Sequence, residues 1–396
     1  MRAITRPLDG DLDLNDVARG NGHLFVRNAV GFAGRGCAAR VPADDAVAFL
    51  ASVDHDDGVG STPGPVALGA VPFLPGAPAE MIVPEIVVGK DAAGRAWVTT
   101  IDDADASAEL ERARSGPPRT RTNGYRIGAA VPTDHYLTAV AAARDAVRDG
   151  RLTKAVIARP VAVEADEPID VHAVLHRLKA SFGASYRYSI DGMVGASPEL
   201  LVEVAGEIVR SHPLAGTAPR TGDPDRDAEL AEGLIASTKD QIEHRVVIEM
   251  VHDTLLPWVS YLDWQPEPSI VTVANVQHLG SEVEGRLSQP GPSVVELVRA
   301  LSPTPALGGH PRDAALSLIA EVEGFERGRY GGAVGWVDGR GNGTWAVTIR
   351  CAEFSEDHRR ARLVAGGGIV ADSDPHAELA ETQAKLQAML SAIVRP

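Results

Sequence analysis

From Pro132 to Val394, runs with the hydrophobic spacing of strands and runs with that of helices follow one another in no regular order, and this restricts the fold more than any other feature. Pro132 to Arg148 carries Tyr136, Val140, Ala143 and Val147 at helical spacing, with Thr133 expected as the N-cap. Lys154 to Val163 reads as a strand, Val171 to Phe182 as a helix, and Tyr186 to Val204 as two strands around a turn at Asp191-Gly192. Leu230 to Leu256 reads as one helix that stops before Pro257. Val294 to Leu301 and Arg312 to Gly324 are expected helices, separated by the Pro-rich turn Ser302 to Pro305. Three strands are expected at Gly331 to Val337, Thr344 to Phe354 and Ala361 to Val370, closed by a helix from Pro375 to Val394. A Rossmann domain needs strict βαβ alternation, which this order lacks. The pattern predicts an α+β fold, a sandwich of sheets and helices, and the length would allow two or three domains or one large one.

The first ~110 residues mix short strand-like runs (Leu24 to Val30, Ile82 to Val88, Ala96 to Ile101) with Pro/Gly-rich loops, of which Gly58 to Pro78 is the clearest. Ser115 to Gly124 is polar, basic and turn-rich. It reads as a connection between an N-terminal portion, residues 1–124, and a second portion, residues 125–396.

Charge limits the partners. Lys and Arg total 38 against 54 Asp and Glu, a formal net charge of −16. Such a chain repels nucleic acid and anionic membrane surfaces, so neither is an expected partner. A small anionic substrate would need a local positive site, a bound cation or both. Cys37 and Cys351 are the two cysteines and have no metal-ligand spacing, so a reduced, cytoplasmic setting is the expectation. The N-terminal stretch carries Asp9, Asp11, Asp13 and Asp16 and does not read as a secretory signal. No run approaches the ~20 apolar residues of a membrane helix, and a soluble protein is expected.

Several residue sets could carry chemistry. Asp240 and Glu243 lie three apart on a helix, and Glu378 and Glu381 repeat the arrangement on the last one, with Lys385 a turn further. Two such pairs could jointly hold a hard divalent cation such as Mg²⁺, which takes few protein carboxylates and completes its octahedron with water and ligand oxygens. Solvated helix faces with a surface Glu381–Lys385 pair would read the same way. Gly216 after Leu214-Ala215, and Gly366-Gly367-Gly368 after a strand, could let backbone N–H groups approach an anion, or could be tight turns. Lys154 heads an apolar strand, where a partly buried amine could act as a base. Glu199 lies between hydrophobic stretches and could be an acid kept protonated by burial. Arg350 interrupts an apolar run, where an arginine often pairs with a protein or ligand carboxylate. Each of these has a purely structural alternative. There is no G-x-S-x-G, HExxH or CxxC, so nucleophilic hydrolysis and zinc chemistry have no support from motifs.

Taken in order, these residues fall in eight strings: KAVIARP at 154, GASPELLV at 195, PLAGTAPR at 213, KDQIEH at 239, LSPTPALGG at 301, YGGAVGW at 330, TIRCAEF at 348 and AGGGIVADSDPHAELAETQAKL at 365. Together they resemble the chorismate-utilising enzymes: isochorismate, salicylate, anthranilate and aminodeoxychorismate synthases. The resemblance covers roughly residues 132 to 390, and GFAGRGCA at 31 looks like the family's glycine-bearing N-terminal strand. It implies the large single-domain sheet-and-helix sandwich of anthranilate synthase component I, with residues 1–124 completing the fold and 125–396 binding chorismate. It also implies roles. Glu243 and Glu381 look like Mg²⁺ ligands, with Asp240 and Glu378 as water-mediated partners. Gly216 and Thr217 would meet the ring carboxylate, and Arg350, Tyr330, Lys385 and the backbone at Gly366 the enolpyruvyl carboxylate. Lys154 looks like the base that activates water at C2, and Glu199 like the acid that protonates the departing C4 hydroxyl.

Three positions choose within the family. Ala215 stands where aminodeoxychorismate synthases carry a nucleophilic lysine. Lys154 stands where ammonia-using enzymes usually have a residue such as glutamine. Pro303 to Leu307, with Ala306 and Leu307 in its second half, resembles the isochorismate-synthase loop; salicylate synthases more often show a threonine there. The expected activity is therefore that of an isochorismate synthase, acting as a monomer without a glutaminase subunit. Salicylate synthase and an ammonia-using synthase are the alternatives. Two departures stand out: Ala218 replaces a commonly basic residue, which would remove a charge near the substrate, and Gly367 replaces the usual alanine.

Overall fold

The computed structural model describes residues 1–116, 122–273 and 276–395. Its strands are apolar on both sides because they lie between two layers, and successive side chains of a strand point opposite ways. In His23–Arg27, Leu24 and Val26 join one apolar cluster while Phe25 joins another. The first cluster fills the space between a large sheet and the helices Val171–Phe182 and Pro375–Val394. The second holds Phe25, Tyr188 and Met193 from that sheet against Leu68, Val334 and Ala346 from a second sheet. A third cluster packs the outer face of the second sheet on helix Val294–Leu301. The layers are thus helix, sheet, sheet, helix: the expected α+β sandwich.

Among the described residues the large sheet has 13 strands and the second has 9, with a separate 3-stranded sheet made of Leu214–Pro219, Val276–Gly280 and Ser269–Val273. The N-terminal portion contributes to both large sheets. His23–Arg27 pairs antiparallel with Tyr186–Ile190, and Val66–Val71 with Ala333–Asp338. Of the basic connection Ser115 to Gly124, residues 117–121 lie outside the described residues. Among the described residues no helix is long and apolar enough to cross a membrane.

Several local expectations change. Tyr186 to Val204, expected as two strands, is three: Tyr186–Ile190, Met193–Ser197 and Leu200–Ala205. Helix Thr133–Arg148 begins at Thr133 itself; Pro132 occupies the capping position at φ −52° and ψ 139°, and no side chain caps the helix. The helix expected from Leu230 to Leu256 is two, Pro224–Ala236 and Thr238–Leu255. Ser237, with ψ 107°, leaves the helical region, and its side chain caps the second helix by accepting from the Asp240 N–H. The strand expected from Thr344 to Phe354 is broken at residues 348–350, where Arg350 takes φ +52°. Gly366 to Gly368 do not follow a strand but lie within Arg360–Ile369, paired with Lys154–Ala165.

Candidate active site

The chain crosses between the two large sheets at two neighbouring places, and each crossing carries a charged side chain. Met193–Ser197 belongs to the large sheet and Leu200–Ala205 to the second, so Pro198 and Glu199 form one crossing. Gly343–Val347 belongs to the second sheet and Cys351–Phe354 to the first, so Thr348, Ile349 and Arg350 form the other. The crossings are tied together: Val347 N–H donates to the Glu199 carbonyl at 3.1 Å and Ala196 N–H to the Arg350 carbonyl at 3.1 Å. Outside a regular ladder, these side chains are released from strict in-and-out alternation.

A cavity of about 280 Å³ opens beside the crossings. It is lined by Lys154 and Glu199, by Gly216, Thr217, Ala306, Leu307, Tyr330, Arg350, Gly366 and Lys385, and by Asp240, Glu243, Glu378 and Glu381. Every site residue singled out from the sequence therefore faces one space. Gly216 takes φ +73° at a register shift between Ala215 and Thr217, and a Cβ there would stand 3.2 Å from that of Asp240. Glycine suits both the backbone turn and the close approach of the helix carrying Asp240.

Lys154 is 5% exposed, and its Nζ donates to Glu243 Oε1. Glu199 is 3% exposed. Burial pushes its carboxyl up to about 8, against the opposing pull of the Leu214 N–H and the charges of Lys154 and Arg350. At neutral pH it is mostly a neutral acid. Burial likewise raises the Tyr330 hydroxyl to about 12 and lowers the Arg350 guanidinium from its usual value. Lys385 donates to the Gly366 carbonyl at 2.9 Å and pairs with Glu381 at 2.6 Å; its side chain is 17% exposed, so this pair is no ordinary surface pair.

The carboxylates are a plausible donor set for a hard cation by their chemistry: all oxygen, on two helices, facing one cavity. A Cβ on Gly367 would lie 2.6 Å from Glu378 Oε2 and 3.9 Å from Glu381 Oε1, so the missing side chain leaves the space these groups use. Ser373 Oγ donates to Glu378 Oε1 at 2.8 Å and holds it in place. These four residues form no tight cage. Among the described residues, the only three His, Cys, Asp or Glu side chains with ligand atoms all within 4.8 Å of one another lie elsewhere. An open set fits Mg²⁺, which is bound by one or two carboxylates and keeps places for water and ligand oxygens.

Two groups escaped the sequence reading. His278 lines the cavity; its Nδ1 lies 3.1 Å from the Gly216 carbonyl and 3.1 Å from Thr217 Oγ1, and burial drops its pKa to about 3. It is a neutral imidazole there, and VQHLG offers no spacing that marks it. Arg327 and Glu323 form a buried pair beneath the cavity, which four-residue spacing alone does not distinguish from a surface pair. Ala218 packs against Leu234 and Leu279 in a small apolar cluster next to the cavity-lining Gly216 and Thr217.

A sandwich with paired helix carboxylates, a buried acid and a buried lysine around one cavity defines a class, and comparison with known proteins agrees with it. Residues 78–394 match the family model described as chorismate binding enzyme, and the chain belongs to that family. It is 41% identical over 345 residues to the MenF protein of Mycobacterium tuberculosis, covering 83% of this chain and 86% of that protein. It is 37% identical to the isochorismate synthase DhbC of Bacillus subtilis, covering 83% and 81%. The crystal structure of DhbC from Bacillus anthracis superposes with a TM-score of 0.81 at 32% identity, covering 96% of this chain and 99% of that one.

Proposed function

We propose that the chain is a Mg²⁺-dependent isochorismate synthase, which adds water at C2 of chorismate and releases the C4 hydroxyl as the ring double bonds shift. The observation that carries the reading is that Lys154 and Glu199 face the same cavity, with Glu199 held protonated by burial. Lys154, as the free amine, takes a proton from the attacking water, and Glu199 gives its proton to the departing hydroxyl, so a second water leaves. Arg350, Lys385 and Tyr330 hold a substrate carboxylate, and Gly216 and Thr217 contact the other. Glu243 and Glu381 would hold Mg²⁺, with Asp240 and Glu378 acting through water; bound there, the ion supplies positive charge to the substrate's ring carboxylate. Ala215 leaves no nucleophile for a covalent route.

The test is chromatography of the products formed from chorismate with Mg²⁺ or with EDTA, without ammonium. Isochorismate as the stable product, only with the metal, is expected. Salicylate with stoichiometric pyruvate would overturn the reading of the Ala306–Leu307 loop, and turnover only on adding ammonium would overturn the choice of water. Lys154→Ala is expected to lower water-dependent turnover by roughly 10²–10⁴-fold.

A further inference from the structure

Outside the cavity, three side chains converge in a way that the proposed reaction does not use. Helix Val171–Phe182 carries His172 and His176, four residues apart and so on one face. The short helix Leu14–Ala18 brings Asp16 against them. His172 Nε2 lies 2.8 Å from Asp16 Oδ1, His176 Nε2 lies 2.7 Å from the same oxygen, and the two ring nitrogens are 3.2 Å apart. Asp16 and His172 are 7% and 6% exposed, while the His176 side chain, at 25%, opens one side to solvent.

We infer that Asp16, His172 and His176 form a binding site for a divalent transition ion of the Zn²⁺ type, separate from the cavity. A circle through the three donor atoms has a radius of about 1.7 Å, so an ion at the ~2.0–2.1 Å of Zn–N and Zn–O bonds sits roughly 1.2 Å above their plane and touches all three. A regular tetrahedral site needs donor separations near ~3.3 Å, so the two nitrogen–oxygen contacts open by about half an ångström on loading. The fourth position is left for water, and the solvent-facing side of His176 is its entry path.

Chemistry sets the choice of ion. Two imidazoles and one carboxylate favour a borderline ion, whereas the all-oxygen set of the cavity favours Mg²⁺. Of the neighbouring charges, Asp13 and Lys179 pair with each other at 2.6 Å, and Arg19 donates to the Asp16 carbonyl at 3.3 Å rather than to its carboxylate. Loaded, the site joins the N-terminal helix to helix Val171–Phe182, two segments far apart in the chain, and stabilises the folded state by its binding free energy.

The test uses the full chain, stripped with a chelator and kept in excess Mg²⁺, titrated with Zn²⁺ by calorimetry and with Co²⁺ by visible absorption. One equivalent of Zn²⁺, a four-coordinate Co²⁺ spectrum and a Zn²⁺-dependent rise in Tm are expected. His176→Ala and the isosteric Asp16→Asn should each weaken binding at least about 100-fold and abolish the Tm rise. Glu381→Gln should retain the equivalent. No binding to the unmodified chain, equal binding by Asp16→Asn, or loss of the equivalent in Glu381→Gln would each overturn the assignment. None of these outcomes depends on which reaction the cavity performs.

Discussion

Two arginines, one buried under the cavity floor and one half-buried in its wall, are treated in opposite ways. Arg327 is 4% exposed; it donates to Glu323 Oε2 at 2.8 Å, to the Leu307 carbonyl at 2.8 Å and to the Val156 carbonyl at 2.6 Å, and stacks 4.2 Å over Phe73. Glu323 in turn accepts from the Ala158 N–H at 2.7 Å. The pair locks strand Lys154–Ala165, which carries the proposed base, to the loop carrying Ala306 and Leu307. Arg350 is partly buried and lines the cavity, yet among the described residues its guanidinium has no hydrogen-bond or ion-pair partner. A fully buried charge without a partner is costly, and Arg350 avoids that cost because its guanidinium opens onto the cavity. The scaffold charge is satisfied within the protein, whereas the charge of Arg350 faces the cavity, where the proposed reaction has it hold a substrate carboxylate. Glu199 extends the contrast on the acid side: it too faces the cavity, and it avoids the cost of a buried charge by staying protonated.

The comparison can be broken at several points, beginning with the largest effect. Glu199→Gln keeps shape and burial but has no proton to give. Turnover is expected to fall by about 10²–10⁴-fold, with the chorismate Kd from calorimetry changed only slightly. A variant that remained active would remove Glu199 from the acid role.

Next come the arginines themselves. Arg327→Met strands the buried Glu323 and is expected to cost about 3–5 kcal/mol of stability, read as a lowered denaturation midpoint. Arg350→Met should leave the midpoint nearly unchanged, or raise it, while the substrate KM rises by roughly 10- to 100-fold through loss of a charged contact worth about 1.5–3 kcal/mol. Equal losses of stability in both variants would erase the distinction between scaffold and site.

The pH dependence sharpens the same point. With the Glu199 carboxyl at about 8, its acid form is depleted above that pH, and turnover should drop close to tenfold per further pH unit. Stability moves with it. The folded value lies above the ordinary 4.5, so the folded state binds the proton more tightly, and stability falls as pH rises from about 4.5 to about 8 before levelling off. Glu199→Gln lacks that component, so its melting temperature should gain on the unmodified chain at pH 9 and not at pH 4. The smallest effect is expected from Gly367→Ala. Its Cβ would meet Glu378 Oε2 at 2.6 Å, so the carboxylate must swing aside, and the Mg²⁺ concentration for half-maximal rate should rise a few-fold.

Much of this molecule can be read from single segments. Alternation and apolar runs mark the strands Lys154–Ala165, Tyr186–Ile190 and Ala333–Asp338. Carboxylates three apart mark the faces of helices Thr238–Leu255 and Pro375–Val394. Glu199 between hydrophobic runs already suggests a buried acid, because burial follows from the neighbours it must travel with. Each is a property of a local period or a local composition.

Other features have no such local signature. Arg350 looks like a strand residue until the chain leaves one sheet for the other and the backbone turns left-handed. Arg327 and Glu323 have the spacing of an exposed pair, and only the packing of the Lys154–Ala165 strand over them makes them a floor. His278 becomes a cavity residue through its pairing with the bulged strand at Gly216. Asp16 meets His172 and His176 only because two distant helices pack together on the large sheet. Local periods of 2.0 and 3.6 residues mark many of the strands and helices and the faces they bury, but not the breaks at Ser237 and at residues 348–350. The tertiary structure alone decided which charges meet, because strand register and the crossings between sheets are set by long-range pairing that no local spacing records.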